Sequence, residues 1–376
     1  MAGLSTRLLN SDRKAMDRVN DVVQPINVAT TFRYPDDPDE FILSKDVDPS
    51  TLTTGRPLYS RLSHPNSSKC EAILGDLLGG HAVVYNSGLS AFYAAVTHFN
   101  PKTVAIGDGY HGVHGILDIL TRNYGVKQVG LDELDKLSKG DVIHIETPEN
   151  PYSKVHDLAY YVKKAHEIGA YVICDSTFAP PPLQDPWEFG VDMVMHAATK
   201  YFGGHSDLLA GVLVTKDPEV KTALVNDRVF LGTNIANLES FLLIRSLRTY
   251  EMRIKRQSSN AEKIVKYLDE HRADYPALKI IHHSSLQKDA FVKKQMKGGH
   301  SPVFAIELQT AEQAKHLPSK LKYFQHSTSL GGVESLIEWR ALSDPYARLT
   351  LLRVSCGVED ADDLIADLDH ALKEIK

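Results

Sequence analysis

Short apolar runs alternate with amphipathic helical patterns along the first two thirds of the chain, and this alternation restricts the fold more than any other feature. Most of the runs lie 20 to 40 residues apart, which leaves room for a helix between one strand and the next. Such an alternation predicts an α/β fold with a mostly parallel sheet. The predicted strands are Ala82–Tyr85, Thr103–Ile106, Asp141–Ile145, Tyr171–Cys174, Met193–Met195 and Gly211–Val214.

The alternation stops at a long helical pattern from Asn237 to His271. The strand patterns 303–308 and 350–354 and a closing helical pattern, 361–375, then indicate a smaller α+β domain. A chain of 376 residues exceeds the usual size of one core. We therefore predict an N-terminal arm (1–55), a large domain (56–250) and a small domain (251–376). Three arginines of the long helical pattern are expected on a solvated or interface face: Arg245, Arg248 and Arg253.

Two charged residues follow consecutive predicted strands. Asp175 ends one apolar run, and Lys200, beside Thr199, comes shortly after the next. Open α/β sheets bind ligands at the carboxyl ends of their strands. Asp175 alone would most simply cap a turn, but a lysine set between an apolar run and two glycines is poorly explained as a solvated charge. A lysine that forms a Schiff base needs such a desolvated place, with a hydroxyl nearby for a phosphate.

A turn of small residues comes earlier in the chain, between the run that ends at Tyr85 and a helical pattern. Its Gly88 and Leu89 lie where backbone N–H groups and a helix dipole can bind an anion. The chain order is thus anion loop, aspartate, lysine. Pyridoxal 5'-phosphate requires an anion site, an acid at its pyridine nitrogen and a lysine at its aldehyde. The sequence therefore predicts this cofactor, with Asp175 at the ring nitrogen and Lys200 as its carrier.

Longer motifs resemble one family. Residues 198–207, A-T-K-Y-F-G-G-H-S-D, are similar to the lysine signature of the Cys/Met-metabolism family of fold-type-I pyridoxal-phosphate enzymes, which includes cystathionine lyases and synthases and methionine γ-lyase. Residues 59–66, 146–151, 329–336 and 352–360 resemble four further segments of that family. The resemblance covers nearly the whole chain. It implies the fold-type-I transferase fold, with a seven-stranded type of sheet in the large domain.

The resemblance also assigns cofactor contacts. Tyr110 would stack on the ring and protonate the leaving group, and Asn150 would contact the ring's phenolic oxygen. Tyr59 and Arg61 would reach the phosphate of the neighbouring subunit, so a homodimer or homotetramer is expected. The predicted cofactor contacts are Lys200, Asp175, Gly88, Leu89, Tyr110, Asn150, Thr177, Thr199, Tyr59 and Arg61.

Substrate contacts follow from the C-terminal motifs. Arg353 would hold the α-carboxylate through a bidentate contact, which lysine cannot provide equally well. Asn150, Ser329 and Thr328 would complete the substrate site. Cystathionine γ-lyases tend to carry Glu at the place of Thr328, so this chain lacks an acid for the distal amino group of cystathionine. The predicted catalytic residues are Lys200, Tyr110 and Asp175.

The motifs imply a lyase that breaks the carbon–sulfur bond of an amino acid such as cystathionine or cysteine. Elimination at the β- or γ-carbon would release a 2-oxo acid, ammonia and a thiol, with β-elimination slightly favoured. The same motifs fit a γ-replacement synthase that uses an O-acylhomoserine. A catalytically idle homologue that acts as a binding protein is a third alternative, against which the intact Lys200, Asp175, Tyr110 and Arg353 argue.

Composition limits the partners. Lys and Arg number 42 against 48 Asp and Glu, a net charge of −6 without long blocks of one sign, which disfavours nucleic acid. The three cysteines and 17 histidines have no metal-ligand spacing, so no metal is predicted. No apolar run approaches the ~20 residues of a membrane helix. We expect a cytoplasmic protein that binds a small amino-acid substrate and copies of itself.

Overall fold

The computed structural model describes residues 2–12, 21–51 and 55–375. Parts of the predicted arm, 1, 13–20 and 52–54, and residue 376 lie outside the described residues. The helices of the described part are α1 (Leu4–Leu8), α2 (Pro65–Leu78), α3 (Gly88–Phe99), α4 (His111–Tyr124), α5 (Leu158–Ile168), α6 (Pro218–Leu231), α7 (Asn237–Leu247), α8 (Tyr250–Glu270), α9 (Ala290–Gln295), α10 (Ala311–His316) and α11 (Ala361–Glu374). The strands are β1 (His81–Tyr85), β2 (Thr103–Ile106), β3 (Lys127–Val129), β4 (Val142–Glu146), β5 (Tyr171–Asp175), β6 (Met193–His196), β7 (Gly211–Thr215), β8 (Leu278–His282), β9 (Val303–Leu308), β10 (Gln325–His326), β11 (Leu336–Trp339) and β12 (Leu351–Ser355).

The larger sheet of the described residues has seven strands in the order β1-β7-β6-β5-β4-β2-β3. Strand β7 runs antiparallel to both of its neighbours, and the other pairs are parallel. The predicted α/β fold with a mostly parallel sheet is confirmed. Strand β3 was not predicted, because its three residues lie at the sheet edge and form no apolar run.

Both faces of this sheet are buried. Ile143 and Ile145 of β4 pack in one hydrophobic cluster with Val172 of β5, whereas Val142 and Ile173 pack in a cluster on the other face. Successive side chains of a strand point to opposite faces, so a strand covered on both faces has a continuous apolar sequence. For this reason the apolar runs predicted these strands within one or two residues.

The second sheet, also counted over the described residues, has five strands in the order β10-β11-β12-β9-β8. Only β10 and β11 are parallel within it. Helices α8 and α11 cover this sheet through a separate hydrophobic cluster that includes Ile264, Leu368 and Phe304. The limits of the three predicted domains stay a prediction. Over the described residues, no helix combines the length and the apolar character that crossing a membrane requires.

The long helical pattern predicted from Asn237 to His271 is two helices, α7 and α8, separated at residues 248 and 249. Arg253 of α8 is buried, and its Nη2 donates to the carbonyl of Ser246 in the last turn of α7 at 2.9 Å. Its Nη1 donates to the carbonyl of Tyr201 at 2.8 Å. The prediction of a solvated or interface position is therefore wrong for Arg253. Its side chain instead connects the end of α7 to the loop after Lys200.

Candidate active site

The predicted site residues meet at one edge of the larger sheet. Strands β1, β4, β5 and β6 all end there, because β1 and β6 are each antiparallel to β7. Asp175 is the last residue of β5 and lies opposite Glu146, the last residue of β4. Gly88 begins α3 directly after β1, and Lys200 lies in the turn after β6. This is the edge at which parallel sheets bind ligands.

Asp175 is a buried carboxylate held in place by Thr177. The backbone N–H and the hydroxyl of Thr177 donate to Asp175 Oδ1 at 2.9 and 2.6 Å. Within the described part of the chain, Oδ2 accepts no hydrogen bond, and Asp175 lies in the wall of a cavity. Burial raises the pKa of Asp175 to about 6, although the two bonds from Thr177 act in the opposite direction. A basic ring nitrogen at Oδ2 would be a matching partner.

Lys200 lies beside the second sheet. Its Nζ donates to the hydroxyl of Ser329 at 2.9 Å. Burial lowers the pKa of Lys200 to about 8, helped by the positive charges of Arg353 and Arg340, while Glu338 acts in the opposite direction. An amine with this pKa is largely neutral slightly above pH 8, so it can act as a nucleophile or a base.

The turn before α3, which leads into Gly88, packs closely against the turn after β6, which carries Lys200. A Cβ atom added to Gly88 would lie 3.1 Å from the Cβ of Ala197, so a larger residue at position 88 would crowd the turn after β6. The hydroxyl of Ser87 accepts from the backbone N–H of Ser90 at 3.1 Å and caps the helix. The hydroxyl of Thr199 donates to the carbonyl of Ala210 at 3.1 Å, so its hydrogen is already engaged within the chain.

Arg353 is buried in β12 and contacts three groups. Its Nη1 donates to Asn150 Oδ1 at 3.0 Å, and its Nη2 donates to the carbonyl of Ser329 at 2.9 Å and to Glu338 Oε2 at 2.5 Å. Ser329 has a left-handed backbone with φ of 80°, which a residue with a side chain adopts only under constraint. This conformation lets Ser329 contact Lys200 with its side chain and Arg353 with its carbonyl.

Glu146 connects the two segments that carry Tyr110 and Asn150. It accepts from the backbone N–H of Tyr110 at 2.7 Å and from that of Asn150 at 3.1 Å. Burial raises the pKa of Glu146 well above its ordinary value, and the neighbouring charge of Asp175 adds to the effect. Tyr110 precedes α4 and its side chain is partly exposed at the cavity. Glu146 therefore fixes the backbone of two predicted cofactor contacts.

One cavity of about 420 Å³ brings most of the predicted residues together. Residues from the larger sheet and from the second sheet both line it, so a molecule inside would contact both. The predicted residues in its wall are Gly88, Leu89, Tyr110, Asn150, Asp175, Thr177, Thr199, Lys200, Thr328, Ser329 and Arg353. A volume of this size suits a small ligand.

Two predicted cofactor contacts lie outside this cavity. Arg61 Nη1 donates to the carbonyl of Val229 at 2.9 Å, and its guanidinium lies 5.4 Å from the centre of the Tyr59 ring. Tyr59 is exposed at the surface of the subunit. Their predicted role in a neighbouring subunit stays a prediction.

Sequence reasoning missed several residues of the cavity wall, among them Glu146 and Arg340 as functional groups. Glu146 begins the segment 146–151 and, like Asp175, ends an apolar run. The same signal that indicated Asp175 therefore also marks Glu146. Arg340 follows the short strand β11, and only its burial distinguishes it from a surface arginine. No sequence signal indicated that burial.

Comparison with known proteins agrees with this site. A family model described as Cys/Met metabolism PLP-dependent enzyme matches residues 5–373. Cystathionine gamma-synthase of Escherichia coli is 36% identical over 84% of this chain and 87% of its own length. The chloroplastic cystathionine beta-lyase of Arabidopsis thaliana is 31% identical over 99% of this chain and 81% of its own.

Solved structures give the same result. The crystal structure of a cystathionine gamma-lyase from Lactobacillus plantarum, complexed with L-serine, superposes with a TM-score of 0.88 at 28% identity. The match covers 100% of this chain and 99% of that one. The chain is thus a pyridoxal-phosphate-dependent enzyme and belongs to the Cys/Met metabolism family.

Proposed function

We propose that this enzyme cleaves the carbon–sulfur bond of a sulfur-containing amino acid by β- or γ-elimination. One observation carries the proposal: an amine of lowered pKa, a buried carboxylate and a buried arginine line the same cavity of about 420 Å³. These are a base, a partner for a ring nitrogen and a site for a carboxylate. The products would be a 2-oxo acid, ammonia and a thiol.

The residues fit pyridoxal phosphate. Asp175 is buried and its Oδ2 accepts no hydrogen bond from the described residues, so this oxygen is available for the ring nitrogen. Lys200 has an amine of suitable pKa for the aldehyde carbon. Gly88 and Leu89 at the α3 N-terminus would bind the phosphate. Tyr110 would stack on the ring, and Asn150, whose Oδ1 is taken by Arg353, has its amide nitrogen left for the phenolic oxygen. Thr177 supports Asp175, and Thr199 would need to release Ala210 to donate to the phosphate.

The bound cofactor supplies an electron sink for the carbon that loses a proton. Lys200 Nζ would take the α-proton of the substrate, since an amine with a pKa of about 8 both accepts and returns a proton near neutral pH. Asp175 would be ionised when it faces a protonated ring nitrogen, because an adjacent positive charge opposes the effect of burial. Tyr110 would protonate the leaving thiolate at its sulfur.

Arg353 would hold the α-carboxylate and thereby aim the α-hydrogen at Lys200. Both residues contact Ser329, Lys200 through the hydroxyl and Arg353 through the carbonyl. Their separation is therefore fixed by one residue with a constrained backbone. A substrate bound at Arg353 would have little freedom to turn its α-carbon away from Nζ.

The proposal includes self-association and location. Tyr59 and Arg61 would act in the active site of a second subunit, within a homodimer or a homotetramer of two dimers. Their position outside the cavity of their own chain supports this role. A cytoplasmic location is supported by three free, buried cysteines.

Reaction choice depends on the cavity mouth. Thr328 lies in the cavity wall and is exposed, and it brings no acid toward a distal ammonium group. We propose weak preference for cystathionine and better turnover of smaller substrates such as cysteine, with β-elimination ahead of γ-elimination. The 36% identity with a cystathionine gamma-synthase supports one alternative, γ-replacement on an O-acylhomoserine.

The test is to supply cystathionine, cysteine and O-acetylhomoserine separately and to identify the 2-oxo acid or replacement product. Pyruvate from cysteine would support β-elimination, and a product formed only when a thiol accompanies O-acetylhomoserine would support the synthase. A tenfold preference for cystathionine with 2-oxobutyrate as the sole 2-oxo acid would contradict the argument from Thr328.

The variant Thr328→Glu tests that argument directly. A new exposed ion pair contributes about 0.5 to 1 kcal/mol, so the ratio of kcat/KM for cystathionine to that for cysteine should rise about two- to fivefold. Thr328→Gln is the matched control, because glutamine has nearly the same size as glutamate and carries no charge. Equal ratios for the two variants would show that no distal ammonium group lies near residue 328.

A further inference from the structure

A second arginine, Arg340, lies in the wall of the active-site cavity beside Arg353. It follows β11 directly, and only 4% of its side chain is exposed. Buried arginines are rare unless they are paired. The partners of Arg340 therefore indicate its purpose.

Arg340 and Arg353 share one carboxylate. Glu338 lies opposite Arg353 in the pairing of β11 and β12. Its Oε2 accepts from Arg353 Nη2 at 2.5 Å and from Arg340 Nη1 at 3.0 Å. Arg340 Nη1 also donates to Ser343 Oγ at 3.1 Å, and Nη2 donates to Asp344 at 3.2 Å. Glu338 is thus held between two guanidinium groups.

Glu338 is ionised in this setting. Burial would raise its pKa, but the charge of Arg353, a hydrogen bond from Ser343 and the charge of Arg340 together keep the pKa below its ordinary value. An ionised carboxylate in contact with Arg353 competes with any carboxylate that enters the cavity. If Glu338 had Arg353 as its sole cationic partner, it would neutralise the positive charge of Arg353. That charge is the one that a substrate carboxylate needs for binding.

We propose that Arg340 is a positioning residue that shares Glu338 with Arg353, and so leaves Arg353 enough positive charge to bind the α-carboxylate of the substrate. This inference rests on the proposed role of Arg353. The cluster holds two guanidinium groups and two carboxylates, and among the described residues Glu338 is the carboxylate that contacts Arg353. Asp344 pairs with Nη2 of Arg340, so the charge that it offsets is that of Arg340.

The experiment measures carboxylate binding by the holoenzyme without turnover. The probe is 4-(methylthio)butanoate, a carboxylate of substrate shape that lacks the amine, and its Kd is determined by calorimetry. The corresponding amide is the neutral control ligand. Arg340→Met removes the charge at similar length, Arg340→Lys keeps it, and the double variant Arg340→Met with Glu338→Gln removes both partners. Cofactor absorbance and circular dichroism report whether each variant is folded.

Arg340→Met should raise the Kd of the carboxylate about tenfold or more and leave the Kd of the amide unchanged. Arg340→Lys should raise the Kd of the carboxylate less than Arg340→Met does. In the double variant this Kd should return to within about threefold of that of the parent enzyme, because the competing carboxylate of Glu338 is gone as well. A purely structural role predicts additive losses in the double variant. An unchanged Kd in Arg340→Met, or no recovery in the double variant, overturns the inference.

Two further variants keep the result interpretable. Glu338→Gln alone should bind the carboxylate as tightly as the parent or more tightly, and this holds even if Arg340→Met fails to fold. Binding weakened more than threefold in Glu338→Gln would overturn the inference. Arg353→Met tests the underlying assumption: if it leaves the Kd unchanged, the proposed carboxylate site is wrong. If Arg353→Met weakens binding and Arg340→Met does not, only the inference about Arg340 fails.

Discussion

The lowered pKa of Lys200 makes a prediction that needs neither substrate nor cofactor. Burial and the charge of Arg353 bring the pKa from 10.5 to about 8. At pH 8 about half of the Lys200 amines would be neutral, whereas an amine of pKa 10.5 is neutral in roughly 0.3% of molecules. The neutral, reactive fraction of Lys200 at pH 8 should therefore be about 150-fold larger than that of a lysine of ordinary basicity.

The assay is a pulse of acetic anhydride on the cofactor-free protein at pH values from 6 to 11, with site-resolved mass spectrometry. Acylation of Lys200 should rise with pH to a midpoint near the pKa of about 8, because only the neutral amine reacts. Lys163, whose side chain is 75% exposed, reports the reactivity of the reagent in the same sample. Arg353→Met should move the Lys200 midpoint upward, since it removes a repelling charge. A midpoint at pH 10 or above in the parent protein would refute the electrostatic reasoning.

Three further predictions concern Asp175, Arg61 and Arg228. Asp175→Asn should lower kcat by at least ~2 to 3 orders of magnitude, and near-normal turnover would show that another group protonates the ring. Arg61→Ala should weaken cofactor retention on dialysis. When Arg61→Ala subunits are mixed with Lys200→Ala subunits, activity should return, because each mixed dimer contains one active site with both residues intact. No recovery of activity would count against the proposed action of Arg61 across subunits. Arg228→Met should lower the free energy of unfolding by about 3 to 5 kcal/mol in a denaturant titration, since it leaves Glu71, now 2.7 Å away, buried without its partner. A loss below 1 kcal/mol would contradict that estimate.

The sequence predicted the parts of the site that depend on strand order and on motif. Asp175 and Lys200 follow strands buried on both faces, and such strands have apolar runs that mark their own ends. The seven-stranded type of sheet was predicted from the family resemblance, since the apolar runs mark six of its strands and miss β3. The break between α7 and α8 was not predicted, because the helical periodicity continues across it. The contact of Arg253 with the carbonyl of Tyr201, 52 residues away, leaves no mark in that periodicity either.

The cluster around Glu338 shows the same limit. Glu338 and Arg340 belong to a four-residue strand and the turn after it, where charged residues are usually solvated. Both side chains are buried where β12 approaches β11 and brings Arg353 into contact with Glu338. The periodicity of apolar residues reports which residues of one element share a face. It carries no information on which other element packs against that face. The contact of Glu338 with both Arg340 and Arg353 therefore depends on the folded chain and has no counterpart in the sequence pattern.

In its proposed role, Arg353 would connect recognition of the substrate to the basicity of Lys200. Its positive charge is the largest cause, after burial, of the lowered pKa of Lys200. A substrate carboxylate bound to Arg353 would cancel much of that charge, and the pKa of Lys200 would then rise. Before binding, the lower pKa would favour the neutral amine that the cofactor requires. After binding, the higher pKa would make Nζ a stronger base for the α-proton, and the change would occur only when a carboxylate is present. The same contact that orients the substrate would therefore adjust the base that acts on it.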